Sequence, residues 1–323
     1  MALSHPRPAP YRRPIMQLDY AIEGYWLAKR RDFSANTIND YTLTFKRLTE
    51  FVGKTRELKD ITSEDINRFL NHLRDDLELG QKTILNHWIA LSSLWTWIER
   101  DLGLPHIIRD KVSRPRPRRR QSAAYTEAEV RELLAACDKG AGWDRAHGQR
   151  MEVKRPSALR DRALILVLLD TGIRASELTA LKLRDYEPKR GQLIIHHGKG
   201  DKKRVVFLGA AARQGLWRYL ATRRSAKQDD PLFATREGTA MQRTGLRLLI
   251  FRIGTRAGVP DAGAHRFRHT FAVNFLRNGG NLLALQDLLG HERMDTVRIY
   301  AKQAEVDLER QQKGASPADR WKL

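Results

Sequence analysis

Cysteine is almost missing from this chain: Cys137 is the only one in 323 residues. No intrachain disulfide can form, and the cysteine usage fits a reducing, cytoplasmic compartment. Cys137 falls on a helical run with Val130, Leu133 and Leu134, so it reads as a small core residue. Long apolar runs are also missing. None approaches the roughly 20 residues of a membrane span, so no membrane partner is expected. The opening MALSHPRPAPYRRPI has no apolar stretch of the secretory kind. Its proline and arginine content suggests a disordered arm over residues 1–16. Acid is in short supply as well: 59 Lys plus Arg face 38 Asp plus Glu, a net charge of +21. The excess is spread along the chain rather than gathered in one tail. Such a field attracts polyanions, and nucleic acid is the common soluble one. A basic surface that merely keeps the protein in solution is the competing reading.

What is present divides in two. Residues 17–108 carry apolar positions at helical spacing. Ile38, Tyr41, Leu43, Phe45, Leu48 and Phe51 outline one helix, and Ile66, Phe69, Leu70 and Leu73 another. Thr62 followed by Asp65 resembles a capping box for the latter. Gly80 precedes a third helix with Ile84, Trp88, Leu91, Leu94, Trp95 and Ile98. A small bundle of four or five helices is expected. Residues 109–122 then form a basic linker, RDKVSRPRPRRRQS, in which Pro115 and Pro117 forbid a regular helix. It is either a solvated hinge or a strap laid along a phosphate backbone, with Arg114, Arg116, Arg118, Arg119 and Arg120 as contacts.

The second domain, 123–305, opens on TEAE, a capping box of Thr126 with Glu129. An irregular polar stretch is expected over Lys139 to Pro156, then a buried helix from Ala158 to Leu169 that ends at Thr171-Gly172. Arg174 to Leu183 reads as a further helix. Gln192–His196 and Arg204–Leu208 flank a Gly-containing turn and read as a hairpin. Helical patterns return around Trp217, over Leu246–Ile253, Phe267–Leu276, Leu282–Leu289 and Thr296–Ala301. The fold class is therefore mainly α, α+β overall: a helical bundle followed by a mostly helical domain with a small sheet.

Four polar clusters interrupt these patterns. In DTGIRASEL, Arg174 falls in the first turn of a helix, where the dipole disfavours a cation. With Glu177 at i+3 it is either a surface ion pair or an arginine kept for function. Lys199 lies between glycines in the hairpin turn, as a solvated tip or a phosphate contact able to donate a proton. In AHRFRHTFA, His265 and His269 share a helix face. That is half of a zinc pattern, but Arg266 stands where a glutamate should follow. His265 with Arg268, three apart, suits a phosphate oxygen better. In LLGHERMDTVRIYAK, His291 follows the end of an apolar helix and Tyr300 lies nine residues on. Taken alone, Tyr300 is an ordinary packing residue. Together, these cations and a tyrosine suit phosphoryl transfer, whose transition state spreads negative charge over oxygens that fixed cations stabilise.

Arg174 in TGIRASEL, Lys199 in GKG, His265 to His269, Leu289-Gly290-His291 and Tyr300 resemble, in order and spacing, the tyrosine recombinases, the phage-type integrases and Xer-like resolvases. The resemblance spans about residues 17–305 and makes the first domain the family's SAM-like core-binding bundle. It implies that Tyr300 attacks the scissile phosphate to give a 3′-phosphotyrosyl link and a free 5′-hydroxyl. Arg174 and Arg268 would clamp the non-bridging oxygens, Lys199 would protonate the leaving oxygen, and His265 would be the base or hydrogen-bond partner near Tyr300. His291 would hydrogen-bond a phosphate oxygen, with Glu177 orienting. No metal, ATP or other cofactor is implied.

The implied partner is double-stranded DNA, bound by a homotetramer on two sites and by a monomer before synapsis, in the cytoplasm at the nucleoid. Lys202, Lys203, Arg204 and Arg243 join the linker arginines as DNA-contact candidates. The tail 306–323 is expected to dock on a neighbouring protomer, and the arm 1–16 is too short to form a separate arm-site domain. Alternatives are a type IB topoisomerase-like nicking-closing enzyme, a catalytically silent DNA-binding regulator of this fold, and a zinc hydrolase, which Arg266 disfavours.

Overall fold

The computed structural model describes residues 16–54, 56–117, 123–144, 149–196, 203–290, 300, 316, 317 and 321. The chain divides into two compact units, Met1–Arg120 and Gln121–Leu323.

In the first unit, α1 (Leu18–Lys29), α2 (Ala35–Val52), α3 (Ser63–Asp75) and α4 (Gln81–Trp97) surround one core. Ser34 caps α2 through the Thr37 N–H. Thr62 and Asp65 close the expected capping box at α3, satisfying backbone donors that a helix start leaves unpaired. Rings fill the centre: Tyr25 meets Phe45 and Trp97 edge-on, with centroids 5.5 and 6.1 Å apart. A π-helical turn, Ile98–Leu102, ends α4, and Gly103 takes a positive φ of 67° after it. The start of the basic stretch belongs to this core. Ile108 and Val112 are buried in it, Trp88 Nε1 donates to the Val112 carbonyl, and the Arg114 guanidinium lies over the Trp88 ring.

The second unit begins with α5 (Glu127–Asp138), started by the Thr126–Glu129 capping box. The stretch after α5 is not irregular as expected. Instead β1 (Lys139–Asp144) and β2 (Gln149–Lys154) pair antiparallel, Lys139 opposite Lys154 and Asp144 opposite Gln149. Glycines at 140 and 142 depress strand propensity, and the antiparallel ladder with the β2 residues that follow overrides that preference. The buried α6 (Ala158–Thr171) follows, then α7 (Ala175–Ala180). α7 is shorter than the expected helix to Leu183, because Leu181 is extended and Leu183–Asp185 is a 3-10 turn. Short β3 (Tyr186–Glu187) adds a third strand to the expected hairpin of β4 (Gln192–His196) and β5 (Lys203–Phe207), in the order β3-β4-β5. Helices α8 (Ala210–Leu220), α9 (Arg243–Ala257), α10 (Ala264–Arg277) and α11 (Leu282–Leu289) complete the described part. Cys137 is fully buried, and desolvation pushes its thiol up to about 12, in keeping with a core cysteine.

Candidate active site

The site is built where three helix ends meet. α6 stops at Gly172, whose φ is +60°. A Cβ there would lie 2.5 Å from the Phe271 ring, so both the backbone and the space demand glycine. The chain then turns so that Arg174 sits at the N-cap of α7, one position before the first turn where the pattern places it. Its backbone N–H donates to Glu177 Oε2 at 2.8 Å and its Nη1 to Oε1 at 2.9 Å. The Glu177 side chain is 7% exposed, so this is not a surface ion pair.

Glu177 serves a second arginine. Arg204, from β5, grips the same carboxylate with both Nη atoms, at 3.0 and 2.7 Å. Burial alone would raise the Glu177 carboxyl; the hydrogen bonds from Arg204 and Arg174 outweigh it and hold the group down at about 2. Sequence places Arg204 among the DNA contacts. Its side chain is 12% exposed, and its guanidinium is turned inward onto protein acceptors.

The C-terminus of α11 gathers the arginines. A helix end leaves its last carbonyls without intrahelical partners, and the dipole is negative there. Arg204 Nε donates to the Leu288 carbonyl at 2.7 Å, Arg268 Nη2 to Leu289 at 2.8 Å, and Arg174 Nη2 to Gly290 at 3.1 Å. Three successive carbonyls thus hold three guanidinium groups from three different elements. Arg268, 3% exposed, also donates to the Gly172 carbonyl. Burial and then the nearby Arg174 lower its ordinary pKa to about 10, and it stays a cation at neutral pH.

α10 carries both histidines. His265 lies at the surface, and partial desolvation, then Arg268 and Arg174, lower its pKa, which keeps the ring neutral and able to take a proton. His269, one turn further along, is buried, and its ring meets Tyr300, centroids 5.4 Å apart. Desolvation, then His265 and Arg266, lower its pKa as well. Tyr300 is 6% exposed among Ala272, Val273, Leu276, Leu285 and Leu289. The motif resemblance points to His265 as the neighbour of Tyr300 and includes His269 without giving it a role. Its i+4 spacing from His265 is the signal that could have found it. Arg266 has a structural role: it is paired with Glu129 at 2.6 Å and stacked over Tyr125, joining α10 to the start of α5.

The structure therefore brings Arg174, Glu177, Arg204, Arg268, His269 and Tyr300 into one neighbourhood. Arg114, Arg116, Lys203 and Arg243 are exposed. Lys199, His291, Lys202, Arg118, Arg119 and Arg120 lie outside the described residues, as does the expected Thr296–Ala301 helix apart from Tyr300. Among the described residues, no three His, Cys, Asp or Glu are grouped to hold a metal ion.

The phage integrase family model matches residues 124–306, more than half of the chain. The chain belongs to the phage integrase family of tyrosine recombinases. The phage integrase N-terminal SAM-like domain matches residues 27–103 of this recombinase. It is 30% identical over 285 residues to the tyrosine recombinase XerC of Roseiflexus castenholzii, covering 85% of each chain. It is 29% identical over 301 residues to XerD of Neisseria meningitidis, covering 90% of this chain and 95% of the relative. Among solved structures it resembles the XerH site-specific recombinase in a post-cleavage complex with a palindromic difH substrate. The TM-score is 0.65 and the identity 26%, with 94% of this recombinase and 85% of that chain covered. The mostly helical fold, with its small three-stranded sheet, is that of these recombinases.

Proposed function

We propose that this recombinase cuts and rejoins double-stranded DNA at a specific site through a 3′-phosphotyrosyl intermediate on Tyr300. The observation that carries the reading is the convergence of Arg174 and Arg268 on the end of α11, in the neighbourhood of Tyr300. Fixed cations of this kind stabilise the charge that develops on the phosphate oxygens. The Tyr300 oxygen bonds to phosphorus, and the bond from phosphorus to the 5′ oxygen breaks. Lys199 donates a proton to that leaving oxygen, and His265, one turn from the His269 ring that meets Tyr300, serves the Tyr300 hydroxyl as the base that takes its proton or as its hydrogen-bond partner while the proton leaves. His291 hydrogen-bonds a non-bridging oxygen, and Glu177 orients Arg174. Rejoining runs the same steps backwards with a different 5′-hydroxyl.

A nicked suicide duplex tests this, selected from a random-sequence library by covalent capture on the protein. Wild type becomes attached to the DNA and Tyr300→Phe does not. Attachment that survives in the Phe variant assigns the nucleophile elsewhere, and relaxation of plasmid with no preferred site favours a topoisomerase-like enzyme.

Exposed basic residues support DNA contacts by Arg114, Arg116, Lys203 and Arg243, with the linker as a strap. Assembly is proposed as a tetramer on two sites, formed from monomers at the nucleoid. The tail 306–323 docks on a neighbouring protomer, a role that the exposed Trp321 suits. Deleting residues 314–323 is expected to weaken pairing of two sites in a gel-shift assay while leaving single-site binding unchanged. Equal loss of both would remove the docking role.

A further inference from the structure

Arg204 has no part in the chemistry proposed above, yet it makes more contacts within the site than a surface cation needs. Its guanidinium forks onto both oxygens of Glu177, while the Arg174 side chain reaches Oε1. Its Nε holds the Leu288 carbonyl, next to the carbonyls that hold Arg268 and Arg174. A bidentate guanidinium on a buried carboxylate is the stronger partner. Glu177 is therefore shared, and Arg204 takes the larger part of its charge.

We propose that Arg204 is a positioning residue for the phosphate site: by occupying Glu177 and the end of α11, it leaves the Arg174 cation to act on DNA. The inference rests on the recombinase reading. Arg174, Arg204 and Arg268 against Glu177 leave two net positive charges among these four groups. Without Arg204 one net charge remains, and Glu177 draws the Arg174 guanidinium towards itself. Removing the charge of Glu177 as well returns the balance to two. Arg204 thus differs from a phosphate contact in two measurable ways: a second substitution, of Glu177, partly repairs the rate, and it returns the salt dependence of binding to that of wild type.

The test uses the full chain and the captured nicked duplex. The rate of covalent attachment is measured at saturating DNA, and binding to an intact copy of that duplex is measured against salt. Arg204→Gln is expected to slow attachment by about 10–10²-fold, the range that a small misplacement in a site produces. The log–log salt slope returns to the wild-type value when Glu177→Gln is added, whereas loss of a direct phosphate contact leaves it shallower by about 1 in the single and the double variant alike. Adding Glu177→Gln to Arg204→Gln restores the rate by at least about threefold, as coupled neighbours do. If Arg204→Gln does not fold, Arg204→Lys keeps the charge, loses the fork and is expected to slow attachment about tenfold with an unchanged slope. A shallower slope with an unchanged rate at saturation overturns the proposal in favour of a DNA contact. A double variant no faster than the single one overturns the route through Glu177. A wild-type protein that captures no duplex overturns the recombinase reading itself, and the proposal with it.

Discussion

The two units spend their buried polar groups differently. In the first, the interior is aromatic and its buried polar side chains are mostly neutral and hydrogen-bonded within the unit. His87 is an example: Thr44 Oγ1 donates to the Asp40 carbonyl and so accepts from His87 Nδ1, while Arg47 donates to Nε2. In the second, the interior holds Arg268, Glu177 and Asp161, and charges of both signs are held against each other. Burying ions is costly and does not in itself stabilise a fold. The comparison separates a unit organised for packing from one that accepts that cost to preorganise a site.

The largest effect is expected from Phe45→Ala in the first unit. Truncating a fully packed ring should cost about 3–5 kcal/mol in denaturant unfolding. The attachment rate at saturating DNA, measured on folded protein, should stay near wild type; a large fall there would break the separation. Arg268→Ala should do the reverse, lowering the attachment rate by about 10²–10³, or roughly 2.7–4 kcal/mol of transition-state stabilisation. An unchanged rate would remove Arg268 from the phosphate site.

The smallest effect concerns pH. Burial and then Arg47 push the His87 pKa down to about 4. The unfolded chain binds this proton more readily, so the neutral ring's contribution is present above the unfolded value of about 6.5 and is lost as the pH falls towards 4. Wild type should lose on the order of 3 kcal/mol through this group across that window, and His87→Gln should lose correspondingly less. Equal acid sensitivity in denaturant titrations at pH 7 and pH 4.5 would assign the proton uptake to other groups.

Features set by near neighbours were legible in the sequence. Thr62 with Asp65 and Thr126 with Glu129 form the capping boxes that their spacing announces, because the donor and acceptor lie three residues apart. The apolar periods placed α2, α4 and α6 for the same reason. The β1–β2 pairing was not legible because Gly140 and Gly142 weaken the strand pattern, and the early end of α7 was not because the extended Leu181 has a distant partner, its carbonyl accepting from the Leu232 N–H. The same limit applied to Arg204, which reads as one more cation in a basic turn, and to His269, whose neighbour Tyr300 is 31 positions away.

By itself, the sequence determined most of the described helices, the family, and the residue types that a phosphate site requires, because these follow from local spacing and motif order. Only the tertiary structure decided how the arginines are shared. Arg174, Arg204 and Arg268 come from 116, 84 and 21 positions away to three consecutive carbonyls. Those acceptors are backbone atoms, present at every residue, and they become a binding site only where a helix ends and leaves them unpaired.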